Sequence, residues 1–425
     1  MQTVRQALSG SSKQALWFAI RINAFGIGLA ALWTTMNTII LPERVADLVS
    51  AGRQGTGLGV ISLIGIGAAA LVEPVAGFVS DRSRRSDRRR PYIIGGAAVV
   101  LFGTVAFGLA AEFAVLLVAY VVMQVASNVA QAAFQALIPD LIPKRGQGLA
   151  SGVKSALNVI GIGLGLVGTQ VIVGATNSDG LALVFLGAVL AVSAVLVIVW
   201  VPRVPPDPRQ QSGNQPPVTA MLRDLVSSSV TAFRSSPTFA QAVVAQFLFL
   251  LGAYSLQRFL LYFLDERFGL DSVTADAGGY LAAGIALGIT AALVGGHLSD
   301  RIGRVPVLRW GVVIGSVGLA GVSVAPNLLV LGGAGVLVAI GAGTFLSVNW
   351  ALISQGIPDG QGAQYYALAN IATAGAGAMA GLFGPLADLI GLFLPNDSYA
   401  ISFFVAAFVS LSSLLPLRHE HEGRA

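Results

Sequence analysis

Cysteine is absent from this 425-residue chain, and histidine is limited to His297, His419 and His421. Disulfide frameworks, thiolate catalysis and thiolate-bound metals are thereby excluded, and three scattered imidazoles do not make a metal site, so no metal or cofactor is expected. Charge is scarce too. Only 11% of residues are Asp, Glu, Lys or Arg, against about 25% in a soluble domain. Nucleotide-binding loops, metal-spaced ligands and Ser/His/Asp arrangements are also missing. An enzyme and an ATP-driven pump are therefore not expected. What is present instead is apolar: 55% of residues are hydrophobic and 52 are glycine, a composition suited to helices packed closely in lipid. The net charge of +5 does not point to nucleic acid, because the basic residues sit in short loops between apolar runs.

A helix needs about 20 apolar residues to cross a bilayer core. Runs of that kind predict spans at 15–41, 56–80, 91–111, 114–138, 151–174 and 180–201, then 238–264, 275–298, 305–325, 327–352, 364–392 and 398–417. The first follows Arg5 and Lys13 without an early cleavage site, so it is read as a span and not as a leader. The runs are too long for barrel strands and lack period-two alternation. The expectation is an all-α membrane protein of twelve helices in two six-helix bundles, residues 1–201 and 238–425, with both termini cytoplasmic. That orientation leaves only Arg44, Arg53, Arg258 and Arg267 of the 25 basic residues at the outer face, as the positive-inside rule requires. Residues 202–237, rich in Pro, Gln and Ser, read as a cytoplasmic linker, with an amphipathic helix expected over 219–236.

The halves repeat one another. Gly77-Phe78-Val79-Ser80-Asp81-Arg82 recurs as Gly296-His297-Leu298-Ser299-Asp300-Arg301, and Pro139-Asp140 recurs as Pro358-Asp359, both at an offset of 219 positions. A shared offset at equivalent places implies an internal parallel duplication, the plan of a carrier that rocks about a central site.

These loops carry a resemblance. Gly77-Phe-Val-Ser-Asp-Arg-Ser-Arg-Arg-Ser-Asp-Arg-Arg-Arg-Pro91 and Gly296-His-Leu-Ser-Asp-Arg-Ile-Gly-Arg304 resemble the signature loops of the major facilitator superfamily. The Arg-rich extension of the first, with Asn128-Val-Ala-Gln-Ala-Ala-Phe-Gln-Ala-Leu-Ile-Pro-Asp-Leu141, is similar to the glycoside–pentoside–hexuronide:cation symporters and the sucrose–proton symporters. Glu73-Pro74 falls where the former place a cation-binding Asp-Pro. Their second Asp, one turn earlier, is Ala69 here, so a two-carboxylate sodium site is not expected. The sucrose symporters carry an Asp and an Arg eleven residues apart in span four; here those positions are Gln124 and Gln135.

Asp81, Arg82, Asp300 and Arg301 are the candidate gating residues: a carboxylate at a cytoplasmic helix end can meet a helix N-terminus, and an arginine can pair across to the other half. Simple topological anchoring by the arginines is the alternative. For the substrate, Gln124, Asn128, Gln131 and Gln135 form one stripe on span four. Amides both donate and accept and so suit hydroxyl-rich ligands; interhelical packing is the alternative. Trp33 and Asn37 on span one, Gln246, Phe249 and Gln257 on span seven, and Asn349 and Trp350 on span ten complete the candidate set, since the resemblance implies a cavity lined by spans one, four, seven and ten. Phe249 is the candidate for stacking on a sugar ring. Arg258 is expected near the outer end with Asp265 as partner, and Lys154, Asn158 and Asn370 are further candidates for the cytoplasmic half of the cavity. Glu73, eight residues before Asp81 and so about 12 Å deeper, is the candidate proton carrier, with a structural carboxylate as the alternative.

The expected function is secondary active transport of a small solute, a sugar or glycoside, across the bacterial cytoplasmic membrane, with proton coupling left open. The protein is expected to work as a monomer in the bilayer without nucleic acid. Efflux of amphipathic drugs or metabolites is a second reading. A membrane sensor or assembly factor on the same fold is a third, although the linker is short for the soluble domain such a role would call for.

Overall fold

Apolar runs of this length satisfy their backbone in lipid only as helices, and each expected span is helical in the computed structural model, which describes residues 12–83, 85–143, 146–206, 219, 223, 231–270, 275–357 and 362–418. Ten helices among the described residues are long and apolar enough to cross a membrane. Ala275–Ile302 and Ser398–Ser412 occupy the places of spans eight and twelve. Within the linker, 231–235 are helical; most of the amphipathic helix expected over 219–236 lies outside the described residues.

Among the described residues three spans are interrupted just ahead of a proline: span four at Ala136, before Pro139, and spans one and eleven. Span one runs through Ser12–Asn23 and Phe25–Thr35, opens into a π turn at Met36–Ile40, and continues as Leu41–Leu48. Pro42 follows that turn; its ring would crowd the carbonyl four residues back in a regular helix, and the wider turn moves that carbonyl aside. Span eleven breaks with a tighter turn. Gly362–Met379 and Phe383–Gly391 flank a 3₁₀ turn at Ala380–Leu382, ahead of Pro385.

By contacts the chain divides into two units, 1–40 with 68–219, and 41–67 with 220–425. Within the first, span one packs on spans five and six, and span three on spans four and six. Within the second, span seven packs on eleven and twelve, and span nine on ten and twelve. These four helix pairs recur at the same relative positions, as a duplication requires, while span eight also packs on span ten. Small residues set the approach: a methyl on Gly96 would lie 2.5 Å from the Ala126 carbonyl oxygen, and one on Gly341 would collide with the backbone of Gly315. The second unit's core gathers Phe239, Phe249, Phe345 and Tyr365 with Val307, Leu308 and Val312.

Candidate functional site

The span-four helix Phe113–Gln135 divides its amide stripe into two groups, both within the first unit. Gln124, buried, donates to the Tyr120 hydroxyl at 2.8 Å, which donates to Asn37 Oδ1 at 2.7 Å. Asn128 donates to the Gln124 carbonyl at 2.8 Å. Trp33 Nε1 donates to Ser127 Oγ at 2.6 Å, and its ring meets Tyr120 edge-on at 5.8 Å. Trp33, Asn37, Gln124 and Asn128 are thus one polar cluster. Tyr120 and Ser127 complete it, and extending the stripe one turn toward the helix start would have found Tyr120.

The second group surrounds a carboxylate. Gln135 Nε2 donates to Glu73 Oε1 at 2.9 Å, and Gln131 also hydrogen-bonds Glu73. A carboxylate at membrane depth is tolerated only with such partners. Lys154, on span five (Gln147–Thr176), stands near enough to act on Glu73 electrostatically. Beside them opens a cavity of about 470 Å³ lined by Gln135, Ile138, Pro139, Ser151, Lys154, Ser155 and Asn158. Four of those side chains offer hydroxyl or amide groups and one an ammonium.

In the second unit a polar cluster on spans seven, ten and eleven is neutral and closed. Gln246 donates to Thr373 Oγ1 and accepts from Asn349 Nδ2 at 2.9 Å. Gln246 and Asn349 are fully buried. Phe249 stacks on Phe345 with ring centroids 4.2 Å apart and is itself buried, so in this conformation it offers no face to a ligand. Trp350 packs against the same core, Gln257 is half-buried and Asn370 is exposed. Arg258 donates to Ser62 Oγ at 2.6 Å. Its expected partner, Asp265, is not the group it bonds, because span two brings a hydroxyl to the buried guanidinium first. Asp388 accepts from the Gly55 and Thr56 amides at 3.2 and 2.6 Å, so this carboxylate caps the start of span two.

The first signature loop is an ion network. Arg89, just before span three, is bonded to Asp81, to Asp140 Oδ2 at 2.7 Å and to Ser80 Oγ at 2.6 Å. Arg88 bonds the other Asp140 oxygen at 2.7 Å. Burial works against the Arg89 charge, yet hydrogen bonds and charge from Asp140 and Asp81 outweigh it and raise the guanidinium above its ordinary value. Asp87 caps the chain at Arg89 N, and the Val204 carbonyl accepts from Arg88 N at 2.9 Å, tying the first residues of the linker to this loop. Arg82 lies over the Phe78 ring, 3.0 Å from its centroid. In the second loop, Asp300 and Arg301 are exposed and, among the described residues, form no ion pair. Arg304 instead bonds the Ala351 carbonyl. Pro358 and Asp359 lie outside the described residues.

Residues 24–382 match the family described as the Major Facilitator Superfamily. The chain belongs to the major facilitator superfamily. It is a secondary transporter of a small solute and a multi-pass membrane protein, not an enzyme. A crystal structure of the nucleoside transporter NupG superposes with a TM-score of 0.73 at 12% identity, over 95% of this chain and 100% of that one. A bacterial homologue of the human lysosomal transporter Spinster, in an inward-facing conformation, superposes with a TM-score of 0.65 at 16% identity, over 96% of this chain and 95% of that one. At such identities the likeness is one of fold. No curated protein sequence matches the chain significantly.

Besides Tyr120 and Ser127, the candidate set drawn from the sequence lacks Asp140 and its partners Arg88 and Arg89. Asp140 recurs at the 219-residue offset in the company of a proline, and that recurrence was the available signal. Its two oxygens hold the two arginines that anchor the first signature loop.

Proposed function

We propose that the protein carries a polar, hydroxyl-rich solute, a sugar or glycoside, across the bacterial cytoplasmic membrane by alternating access, with Glu73 as the proton carrier. The observation that carries this reading is the cavity of about 470 Å³ lined by amides and hydroxyls immediately beside Glu73. Groups that both donate and accept match a polyol at every hydroxyl. A carboxyl group at that depth, whose neighbours on span four are neutral amides, is free to take and release a proton without breaking a direct ion pair. The Arg-rich loop supports a place near the glycoside–pentoside–hexuronide and sucrose symporters. The Asp81–Arg89–Asp140 network supports a gating role for the first loop, since a pair of such charges holds one loop arrangement against others.

Uptake of a labelled sugar panel into proteoliposomes, with and without an imposed pH gradient, tests the reading. Accumulation of at least one sugar, accelerated by an inward proton gradient and not so accelerated in Glu73→Gln, is expected. No uptake of any sugar alongside export of amphipathic dyes would overturn it in favour of efflux.

A further inference from the structure

Lys154 is a cation inside a membrane span, and its contacts are neutral. Its ammonium lies 5.7 Å from the centre of the Phe134 ring, and among the described residues no carboxylate comes within ion-pair distance of it. Glu73 is near enough for its field to be felt, but the Glu73 carboxylate is bonded by Gln131 and Gln135. Lys154 instead lines the cavity, together with Ser151, Ser155, Asn158 and Gln135. One positive charge with hydroxyl and amide donors around it, and no negative side chain in the lining, is the donor set of an anion site. A neutral sugar would satisfy the amides and hydroxyls and, by displacing water from the cavity, leave the ammonium without a counter-charge inside a membrane span, which is costly.

We infer that the transported solute bears one carboxylate, that Lys154 anchors it, and that its binding is tied to protonation of Glu73. The inference rests on the sugar-carrier reading and narrows its substrate. The coupling follows from charge. With Glu73 ionised, Lys154 and Glu73 together are neutral. Adding a solute carboxylate to that pair would leave a net negative charge at membrane depth once the bound solute has displaced the cavity water. A proton added to Glu73 removes the excess: the carboxyl O–H donates to the Gln131 or Gln135 amide oxygen, and Lys154 pairs with the solute. One proton and one carboxylate therefore move together, and no net charge crosses. Among the described residues Lys154 is the charged group whose field reaches Glu73; the span-four groups facing it are amides.

The test uses the full chain in proteoliposomes under an inward pH gradient, with neutral sugars and their carboxylate counterparts, such as glucose against gluconate, as probes. Carboxylate uptake is expected to exceed that of the neutral analogue and to be unchanged when valinomycin and potassium set the membrane potential. Lys154→Gln is expected to lower carboxylate uptake by roughly 10- to 100-fold, the scale of a lost hydrogen bond to a charged group, and Lys154→Arg to restore part of it. Glu73→Gln should abolish the response to pH while carboxylate counterflow persists. Preferential uptake of neutral sugars, or carboxylate uptake undiminished in Lys154→Gln, would overturn the inference and leave the sugar-carrier reading standing. Absence of uptake for every sugar, neutral or acidic, would overturn both. Thermal melting of each variant separates loss of transport from loss of fold.

Discussion

Two polar clusters of this facilitator, one in each unit, do opposite things: the first draws on spans two, four and five, the second on spans seven, ten and eleven. In the first unit, Glu73 and Lys154 carry charge, and Lys154 lines an open cavity together with Gln135, which bonds Glu73. In the second, Gln246, Asn349 and Thr373 bond one another in a fully buried core and carry none. The signature loops differ in the same sense. Asp81 is locked to Arg89 and, through it, to Asp140, whereas Asp300 and Arg301 stand exposed. Several helix pairs recur in both units, whereas the charges differ: the first unit sets Glu73 and Lys154 near each other beside a cavity, and the second buries Arg258 against Ser62. Packing needs only shape and small residues, and those are repeated. Charge at membrane depth is costly and is held where hydrogen-bonding partners compensate it.

The largest expected effect breaks the loop comparison. Arg89→Ala removes the cation between two carboxylates, one of them in Asp140, which is only 13% exposed. Stripping one partner from a buried pair costs about 3–5 kcal/mol, and Arg301→Ala, at an exposed site, about 0.5 kcal/mol or less. Denaturation of the purified protein measures both, and equal losses would remove the distinction between the loops. The Arg89 contribution has a defined pH behaviour. Its folded-state value is raised, so its stabilisation is complete below the unfolded value and fades only as pH rises through the folded one. Both lie in the strongly alkaline range, so the Arg89→Ala deficit should be constant between about pH 6 and pH 9.

Next in size is the contrast between the amide clusters. Asn349→Ala leaves the buried Gln246 carbonyl without its donor and should cost about 1–3 kcal/mol of stability. Gln135→Ala, at the wall of an open cavity where water can replace it, should cost less stability while slowing transport, as uptake paired with thermal melting would show. A smaller effect belongs to gating. Asp81→Asn should change the initial rate of uptake far more than the amount of protein in the membrane, and Asp300→Asn should change either less. Equal loss of rate and abundance in Asp81→Asn would make the loop an assembly element and not a gate. Smallest of all, Gly333→Ala adds a methyl with nothing within 4 Å of it and should leave stability within about 0.5 kcal/mol, whereas Gly341→Ala meets backbone and should not.

Much of the fold was legible because its signals are local. Span lengths follow from bilayer thickness, whereas the breaks ahead of Pro42 and Pro385 were not expected, and Pro74 inside span two leaves its helix continuous. The polar stripe of span four was legible from helical spacing alone. Spacing did not disclose that the stripe divides into a Trp33–Asn37 group and a Glu73 group, since that depends on which neighbour each turn meets. Phe249 illustrates the limit. Its position on span seven is equally compatible with a ligand-facing ring and with a core ring, and only Phe345, brought across by span ten, settles its surroundings in this conformation. Arg258 is similar: Asp265 is near in sequence, but Ser62 is the group within reach.

By itself, then, the sequence determined the helices, the duplication and the family, because hydrophobic length, repeat offset and a signature loop are properties of consecutive residues. Tertiary structure alone decided that Asp140 holds Arg88 and Arg89, that Gln246 and Asn349 are sealed together, and that Lys154 faces a cavity instead of a carboxylate. Each of these depends on residues far apart in the chain being brought to within a few ångströms, and hydrogen bonds and ion pairs are decided at that distance.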